Sequence, residues 1–265
     1  MADKVYNEEN IAAIGEAIRA KTGGTERYYT SEMADGVAEV YEAGKKASLR
    51  EHWNALQRGG WGTNYAASLG AMWTAETFKP EFDITIIMGA YAFAFNQIGG
   101  DLVALFEGLG RKLDLTQAIN VGNMFQAAQF TRIGNFCCPA GGWWNTFSGC
   151  VYLETIDEWG RLMEDEEITG GGLTGCFTGC TALKNIKVRG KIAESISFQW
   201  SPLTVESMKS IITHLSDTVT GQTLTLSKTA VNKAFETSAT ANDGSTSAEW
   251  LALVATKSNW TISLA

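Results

Sequence analysis

The sequence predicts an α+β protein in three parts: a helical segment over residues 1–58, a short and irregular solenoid of stacked turns over 59–190, and a C-terminal cap of helices and strands over 191–265. Three observations lead to this prediction. An eleven-residue phrase is written twice, the apolar period changes from helical to strand-like near Gly59-Gly60, and the last part of the chain alternates amphipathic helices with short strands.

Composition excludes several classes of protein. Hydrophobic residues make up 45% of the 265 residues and charged residues 19%, so we expect a buried core and not a disordered chain. The net charge of −8 argues against a nucleic-acid surface, which needs clustered Lys and Arg. The opening "MADKVYNEEN" lacks the basic start and apolar stretch of a secretion signal, and no apolar run has the length of a membrane helix. We therefore expect synthesis in the cytoplasm and no membrane insertion.

Two helices are predicted within 1–58, because apolar residues recur at intervals of three and four. A Gly-Gly pair ends the first helix, and Thr30-Ser31 begins the second. The apolar stripe of the second helix is either a coiled-coil seam that joins copies or the face of a helix lying on its own domain. We expect the segment to serve attachment or assembly. The apolar positions are Ile11, Ile14 and Ile18 in the first helix, and Met33, Val37 and Val40 in the second.

The repeated phrase reads "TFSGCVYLETI" at 146–156 and "CFTGCTALKNI" at 176–186. Both copies carry Phe, Cys, Leu and Ile at offsets of zero, three, six and nine, and a degenerate copy precedes them. Copies that recur every 20–50 residues are typical of stacked arrays. The repeat positions are Phe147, Cys150, Leu153 and Ile156, then Phe177, Cys180, Leu183 and Ile186, with Phe125, Ala128, Phe130 and Ile133 in the degenerate copy.

A stacked coil accounts for each residue type in the phrase. The Phe packs inside, the Gly-Cys step permits a tight turn, and the Leu and Ile enter a short strand that pairs with its counterpart one turn away. Cys150 and Cys180 are interpreted as small buried side chains, since the chain has no Cys-x-x-Cys pair and both histidines lie far from the cysteines in sequence. Short apolar runs predict strands at 82–87, 112–116, 130–136, 153–159, 183–190 and 223–227.

The last part of the chain carries clear start signals. Thr204 is the predicted N-cap of an amphipathic helix, and residues 246–249 resemble a capping box that opens another helix. The run 260–264 alternates as a final strand does. We expect these elements to close the stack with a different outer face.

No catalytic, metal or cofactor site is predicted. His214, Ser216 and Asp217 are nearly adjacent at one helix end, so they cannot converge on a substrate as a triad does. The acidic run 164–167 lacks the spaced ligands of a calcium loop and is interpreted as a solvated turn. The glycines 170–172 precede no Gly-Lys-Ser/Thr sequence, so they are not a phosphate loop.

Trp143 and Trp144 follow two glycines between the first two copies of the repeat. Exposed aromatic side chains are common contacts for saccharides and proteins. The pair is therefore a candidate binding site, and the alternative is that both rings fill gaps in an irregular core. The insertion between the second and third copies, with its acidic run and three glycines, lies on the same predicted edge.

The pattern F-x-G-C-x-x-L-x-x-I resembles the BspA-like class of leucine-rich repeats. The phrases "IAAIGEAIRAKTGG", "HWNALQ" and "FQWSPLTVESMKSIITHLSD" are similar to a family of leucine-rich-repeat proteins of phages and prophages of gut Firmicutes. The resemblance covers nearly the whole chain. It implies a leucine-rich-repeat solenoid in a non-enzymatic virion protein, tail-fibre-like or otherwise attached to the particle.

The same resemblance implies a set of partners. These are other virion proteins reached through the N-terminal segment, further copies of the chain, and a host surface glycan or protein. It transfers no catalytic residue. Two other classes are weaker: a bacterial cell-surface adhesin with BspA-like repeats is disfavoured by the missing signal peptide, and a glycan-cleaving enzyme by the lack of a convergent pair of acids.

Overall fold

In the computed structural model, the residues described are 83–86, 99–238 and 240–265. The chain divides between Arg58 and Gly59 into two units, and every described residue belongs to the second. The helices predicted within 1–58 lie outside the described residues.

Short strands and helices alternate through the described part of the chain. The strands are β1 (Ile84–Thr85), β2 (Gly99–Asp101), β3 (Leu113–Asp114), β4 (Gln129–Cys137), β5 (Thr155–Gly160), β6 (Glu167–Ile168), β7 (Asn185–Arg189), β8 (Lys191–Ile192), β9 (Ile196–Phe198), β10 (Gln222–Leu226) and β11 (Trp260–Leu264). The helices are α1 (Leu102–Gly108), α2 (Leu173–Cys176), α3 (Val205–Thr213), α4 (Lys228–Ala234) and α5 (Ala248–Ala255), with a 3₁₀ turn at Gly244–Thr246.

Strand pairing is parallel in every sheet described. A four-stranded sheet has the order β2-β4-β5-β7, a three-stranded sheet has the order β11-β10-β9, and β1-β3 and β6-β8 form separate pairs. Parallel neighbours require a crossover, so the chain returns to the same end of the sheet before each new strand. Among these residues, no helix is long and apolar enough to cross a membrane.

The register of the four-stranded sheet aligns equivalent residues of the repeat. Ile133 pairs with Ile156, and Ile156 pairs with Ile186. All three side chains are buried and lie in one row across the sheet. Each Ile side chain therefore packs against the equivalent Ile of the next turn.

The turns that precede these strands also stack on one another. In each turn, the backbone N–H group of every second residue donates to a carbonyl of the following turn. These backbone groups are therefore hydrogen-bonded although the turns form no strand. The N–H groups of Asn123, Phe125 and Ala127 donate to Trp144, Thr146 and Ser148 at 2.8 Å, and those of Phe147 and Gly149 donate to Cys176 and Thr178 at 2.9 and 2.7 Å.

A column of phenylalanines forms the centre of the stack. The ring centroids of Phe125 and Phe147 are 5.8 Å apart, and those of Phe147 and Phe177 are 5.4 Å apart. Phe198 extends the column, with its centroid 4.6 Å from that of Phe177. All four side chains are fully buried. The column thus contains one turn more than the repeated phrase indicates.

Helix α3 covers the outer edge of the four-stranded sheet. Thr204 caps the helix by accepting from the N–H of Ser207, as predicted. The hydroxyl of Ser207 accepts from the N–H of Ile186, and that of Ser210 accepts from the N–H of Val188, both at 2.9 Å. Two serines therefore take the place of a neighbouring strand along β7.

The strands predicted from short apolar runs are all present, with bounds shifted by one or a few residues. The final strand, β11, is also present. The capping box differs by one position: Ser247, and not Thr246, is the N-cap of α5 and accepts from the N–H of Trp250 at 3.1 Å. The reason is that a 3₁₀ turn occupies Gly244–Thr246, so Thr246 is already hydrogen-bonded within that turn.

Candidate functional site

The two tryptophans of the candidate binding site lie in different environments. Trp143 has no accessible surface, and its ring packs edge-on against Trp159 with the centroids 5.2 Å apart. Its indole Nε1 finds no hydrogen-bond acceptor among the described residues. A ring enclosed in this way cannot contact a partner. The interpretation of Trp143 as a binding residue is therefore wrong, and the side chain belongs to the core.

Trp144 is half-buried and lies in a cradle of glycines. A Cβ atom added to Gly122 or Gly142 would overlap atoms of its indole ring, and one added to Gly172 would overlap its Cα and Cβ. The ring therefore lies directly on the backbone of these glycines, and any other residue at their positions would displace it. The amide of Asn120 lies beside the same part of Gly142. An aromatic ring and a planar amide are thus adjacent at this edge.

The insertion between the second and third copies folds back onto the tryptophan pair. Gly170 packs directly on Gly141, because a Cβ at Gly170 would overlap the carbonyl of Gly141. The N–H groups of Gly170 and Gly171 donate to the Glu194 carboxylate at 2.9 and 3.1 Å. The backbone of Gly170 has φ of 115°, which favours glycine as well. The run of glycines therefore serves close packing of this edge.

The acidic run is partly engaged within the molecule. The Glu164 carboxylate lies 3.7 Å from both Arg189 Nε and His214 Nε2. Glu167 Oε1 accepts from the hydroxyl of Ser216 at 3.1 Å. The acidic run is exposed, as the interpretation as a solvated turn requires, and these two glutamates also make surface contacts within the molecule. The contacts also separate His214 from Ser216, since each faces a different carboxylate.

The repeat cysteines link one turn to the next. The thiol of Cys150 donates to the carbonyl of Phe125 at 2.8 Å, and that of Cys180 donates to the carbonyl of Phe147 at 3.1 Å. In the fourth turn, the hydroxyl of Ser201 donates to the carbonyl of Cys180 at 3.1 Å. Burial raises the pKa of the Cys150 thiol to about 12, so the group stays protonated and able to donate.

All five cysteines are free and buried. Within the ranges that the structure describes, no three His, Cys, Asp or Glu side chains are grouped as metal ligands.

The exposed face of the four-stranded sheet carries charges that compensate one another. Arg132 binds Asp157 through two nitrogens at 2.9 and 2.7 Å and reaches Asp101 at 3.2 Å. Glu158 pairs with Lys187 at 2.9 Å and with Arg189 at 3.3 Å. Surface pairs of this kind contribute little to stability. They leave this face without a dominant charge of either sign.

A cleft of about 230 Å³ lies between α1 and β4. Its lining is mostly apolar, with Glu107, Arg111 and Lys112 as the charged members. The cleft is small beside ordinary ligand pockets, which span roughly 300–1,000 Å³. The apolar lining includes Leu102, Val103, Phe106, Leu113 and Ile133.

Comparisons of the chain with protein-family models, curated proteins and solved structures found no match.

Two features of the site escaped prediction. The fourth turn, with Phe198 and Ser201, does not match the repeated phrase, because Ser stands where the other copies have Cys. A search that treated Cys and Ser as equivalent, because both are small and can donate a hydrogen bond, would have found this fourth turn. The glycine cradle left a weaker signal, in that Gly122, Gly142 and Gly172 are separated by intervals close to those of the repeats.

Proposed function

We propose that this protein is a non-enzymatic component of a phage particle, tail-fibre-like or otherwise attached, in which a leucine-rich-repeat solenoid over 59–190 presents a recognition surface. Residues 191–265 cap the solenoid, and 1–58 attach or assemble it. The observation that carries the recognition role is the row-by-row stacking of equivalent Phe and Ile side chains, which makes a stiff wall beneath the edge that holds Trp144. The virion assignment rests on the resemblance of the repeats and of their flanking phrases.

The recognition surface is the edge around Trp144. The ring is supported by backbone from below and accompanied by Asn120, whose Oδ1 accepts from the N–H of Gly122 at 2.8 Å. The neighbouring Ile119 is 62% exposed. A supported aromatic ring beside an amide suits either a host glycan, which stacks and hydrogen-bonds, or a surface protein. Both partners reach it without rearrangement of the wall.

Binding to cells tests the recognition role. Fluorescently labelled full-length protein is incubated with a panel of gut Firmicutes cells, before and after protease treatment, and with their isolated wall polysaccharide. We expect saturable binding that falls at least about tenfold in Trp144→Ala, the loss of one strong interface contact. Trp200→Ala is the matched control, since Trp200 is 53% exposed at another turn. Retained binding after proteolysis identifies the glycan, and lost binding identifies the protein.

The same samples test the other parts of the proposal. If the full chain binds no cell of the panel, the recognition role is overturned. If wall polysaccharide incubated with the protein gains reducing ends, the non-enzymatic role is overturned. Because Trp144→Ala removes a ring that fills the glycine cradle, the exposed variant Ile119→Asp provides a second test that leaves the cradle intact.

The particle itself tests the virion role. Particles are purified after induction of a prophage that encodes the chain, and their proteins are identified by mass spectrometry. The chain should be present in a fixed ratio to the capsid protein. Its absence from intact particles would contradict the proposal.

The N-terminal segment is tested by mass in solution. The full chain and the fragment that begins at Trp61 are compared by sedimentation equilibrium. If 1–58 assemble copies of the chain, the fragment contains fewer subunits. An equal number of subunits in both samples removes the assembly role.

A further inference from the structure

Strand β11 leaves one edge of the three-stranded sheet open. The N–H of Ala265 donates to the carbonyl of Leu226 at 2.9 Å, and the N–H of Lys228 donates to the carbonyl of Ala265 at 2.8 Å. Since the backbone groups of a strand alternate in direction, Ile262 and Leu264 point their N–H and C=O groups away from β10. No described element pairs with that side of β11.

This edge lacks the features that usually prevent pairing. It has no Lys, no Pro and no bulge, and its five residues keep a continuous register with β10. The edge of β7 is treated differently, since hydroxyls of Ser207 and Ser210 occupy its N–H groups. The β7 edge of the four-stranded sheet is thus protected, whereas the β11 edge of the three-stranded sheet is left available.

The apolar rows of the sheet are incomplete at β11. Ile196, Leu224 and Ile262 form one row, in which the first two side chains are buried and Ile262 is half-buried. A second row, from Phe198 through Leu226 to Leu264, has the same gradient. Leu251 of α5, the helix before this strand, is 52% exposed. A further strand beside β11 would cover the last members of both rows.

We propose that β11 pairs antiparallel with β11 of a second copy of this chain, about a two-fold axis at Ile262. The sequence Trp-Thr-Ile-Ser-Leu has the same apolar and hydroxyl pattern in both directions. Ile262 then faces Ile262 of the other copy, Leu264 faces Trp260, and Thr261 faces Ser263. Apolar side chains meet apolar ones, hydroxyls meet hydroxyls, and no like charges meet.

The hydrogen bonds of such a pair fit the groups that are available. The N–H of Ile262 donates to the carbonyl of Ile262 in the other copy, and the N–H of Leu264 donates to the carbonyl of Trp260. Symmetry makes each bond twice. The N–H of Trp260 is already bonded to the carbonyl of Lys257 at 2.9 Å and is not needed. The two-fold axis also extends both apolar rows across the interface on the same face.

Charge placement across the axis provides the test. In the double variant Thr261→Lys with Ser263→Lys, each lysine faces a lysine of the other copy. In the matched control, Thr261→Lys with Ser263→Glu, each lysine faces a glutamate. Full-length wild type and both variants are compared by sedimentation equilibrium over a range of concentrations. We expect the first variant to self-associate at least about tenfold more weakly, and the control to match the wild type.

Three results would overturn the pairing: a wild type that is monomeric at every concentration, equal association in all three proteins, or equal loss in both variants. The last would show that substitution alone, and not charge opposition, disrupts the edge. Hydrogen exchange in the wild type gives a second measurement that needs no variant. The amides of Ile262 and Leu264 should become more protected as protein concentration rises, and protection that is independent of concentration would contradict the proposal.

Discussion

Replacing Trp143 by Ala should destabilise the protein strongly, because this ring is part of the core. Truncation of a buried aromatic side chain costs about 3–5 kcal/mol. The edge-on contact with Trp159, at 5.2 Å between centroids, adds about 0.5–1.5 kcal/mol beyond the buried area. No hydrogen bond is lost, since Nε1 has no acceptor among the described residues. We therefore expect a loss of about 4–5 kcal/mol in the free energy of unfolding.

Trp143→Phe separates the ring from its indole nitrogen. The substitution removes an unpaired donor, whose burial costs about 1–3 kcal/mol, and this gain offsets the smaller ring. The net change should lie within about 1 kcal/mol of the wild type. Trp200→Ala is the exposed control and should change stability by less than about 0.5 kcal/mol.

Urea unfolding, followed by far-ultraviolet circular dichroism, measures these differences from the midpoint and the slope. The core assignment would be refuted if Trp143→Ala unfolded within about 1 kcal/mol of the wild type. A Phe variant as unstable as the Ala variant would refute the argument about the unpaired nitrogen, because it would show that Nε1 makes a bond that the protein needs.

Three other predictions concern the stack and its cap. Cys180→Ala should lower the free energy of unfolding by about 1–2 kcal/mol, and Cys180→Ser should lower it clearly less because the hydroxyl remains a donor. Equal urea midpoints for the two variants would contradict a role for the hydrogen bond from the Cys180 thiol. Ser207→Ala should cost about 1–3 kcal/mol and speed hydrogen exchange at Ile186, whose N–H loses its acceptor; unchanged exchange would count against it. The hydrogen bond from Lys257 holds the pKa of Asp217 below its ordinary value, so the contribution of Asp217 to stability is complete above the pKa of the unfolded chain and is lost as the pH falls through the folded pKa. Asp217→Asn should therefore flatten the decline of thermal midpoint with acidification below pH 4, and an unchanged slope would contradict this linkage.

Sequence reasoning identified elements whose signals are local. Thr204 could be recognised as an N-cap because its hydroxyl acts on the next turn of the same helix. The alignment of Ile156 with Ile186 could be predicted as well, since the phrase around them is repeated and equivalent residues of a repeated phrase occupy equivalent places. Both inferences needed only neighbouring residues or an internal copy.

Features that depend on distant contacts could not be predicted in this way. Trp143 and Trp144 are identical neighbours, and contacts with distant residues distinguish them: Trp143 is enclosed beside Trp159, whereas Trp144 lies at the edge against glycines such as Gly122. Ser207 and Ser210 face β7 on a helix that also carries three exposed polar residues, and nothing in their spacing distinguishes them. The thermodynamic reason is that an unpaired N–H group on β7 would be costly, and the two serines avoid this cost. The need for them arises from β7, which is a different part of the chain.

The insertion between the second and third copies has fixed ends and an outer loop between them. At its start, the Arg161 guanidinium donates to the carbonyls of Pro139 and Ala140, and at its end Gly170 packs on Gly141. Residues 163–166 between these anchors are exposed. The chain can therefore exchange or lengthen this loop, with loss of the surface contacts of Glu164, provided that Arg161 and Gly170 are kept and the carbonyl of residue 166 still accepts from the N–H of Lys191. A scaffold of this kind can acquire a new specificity through one short cassette, while the rest of the molecule is inherited unchanged.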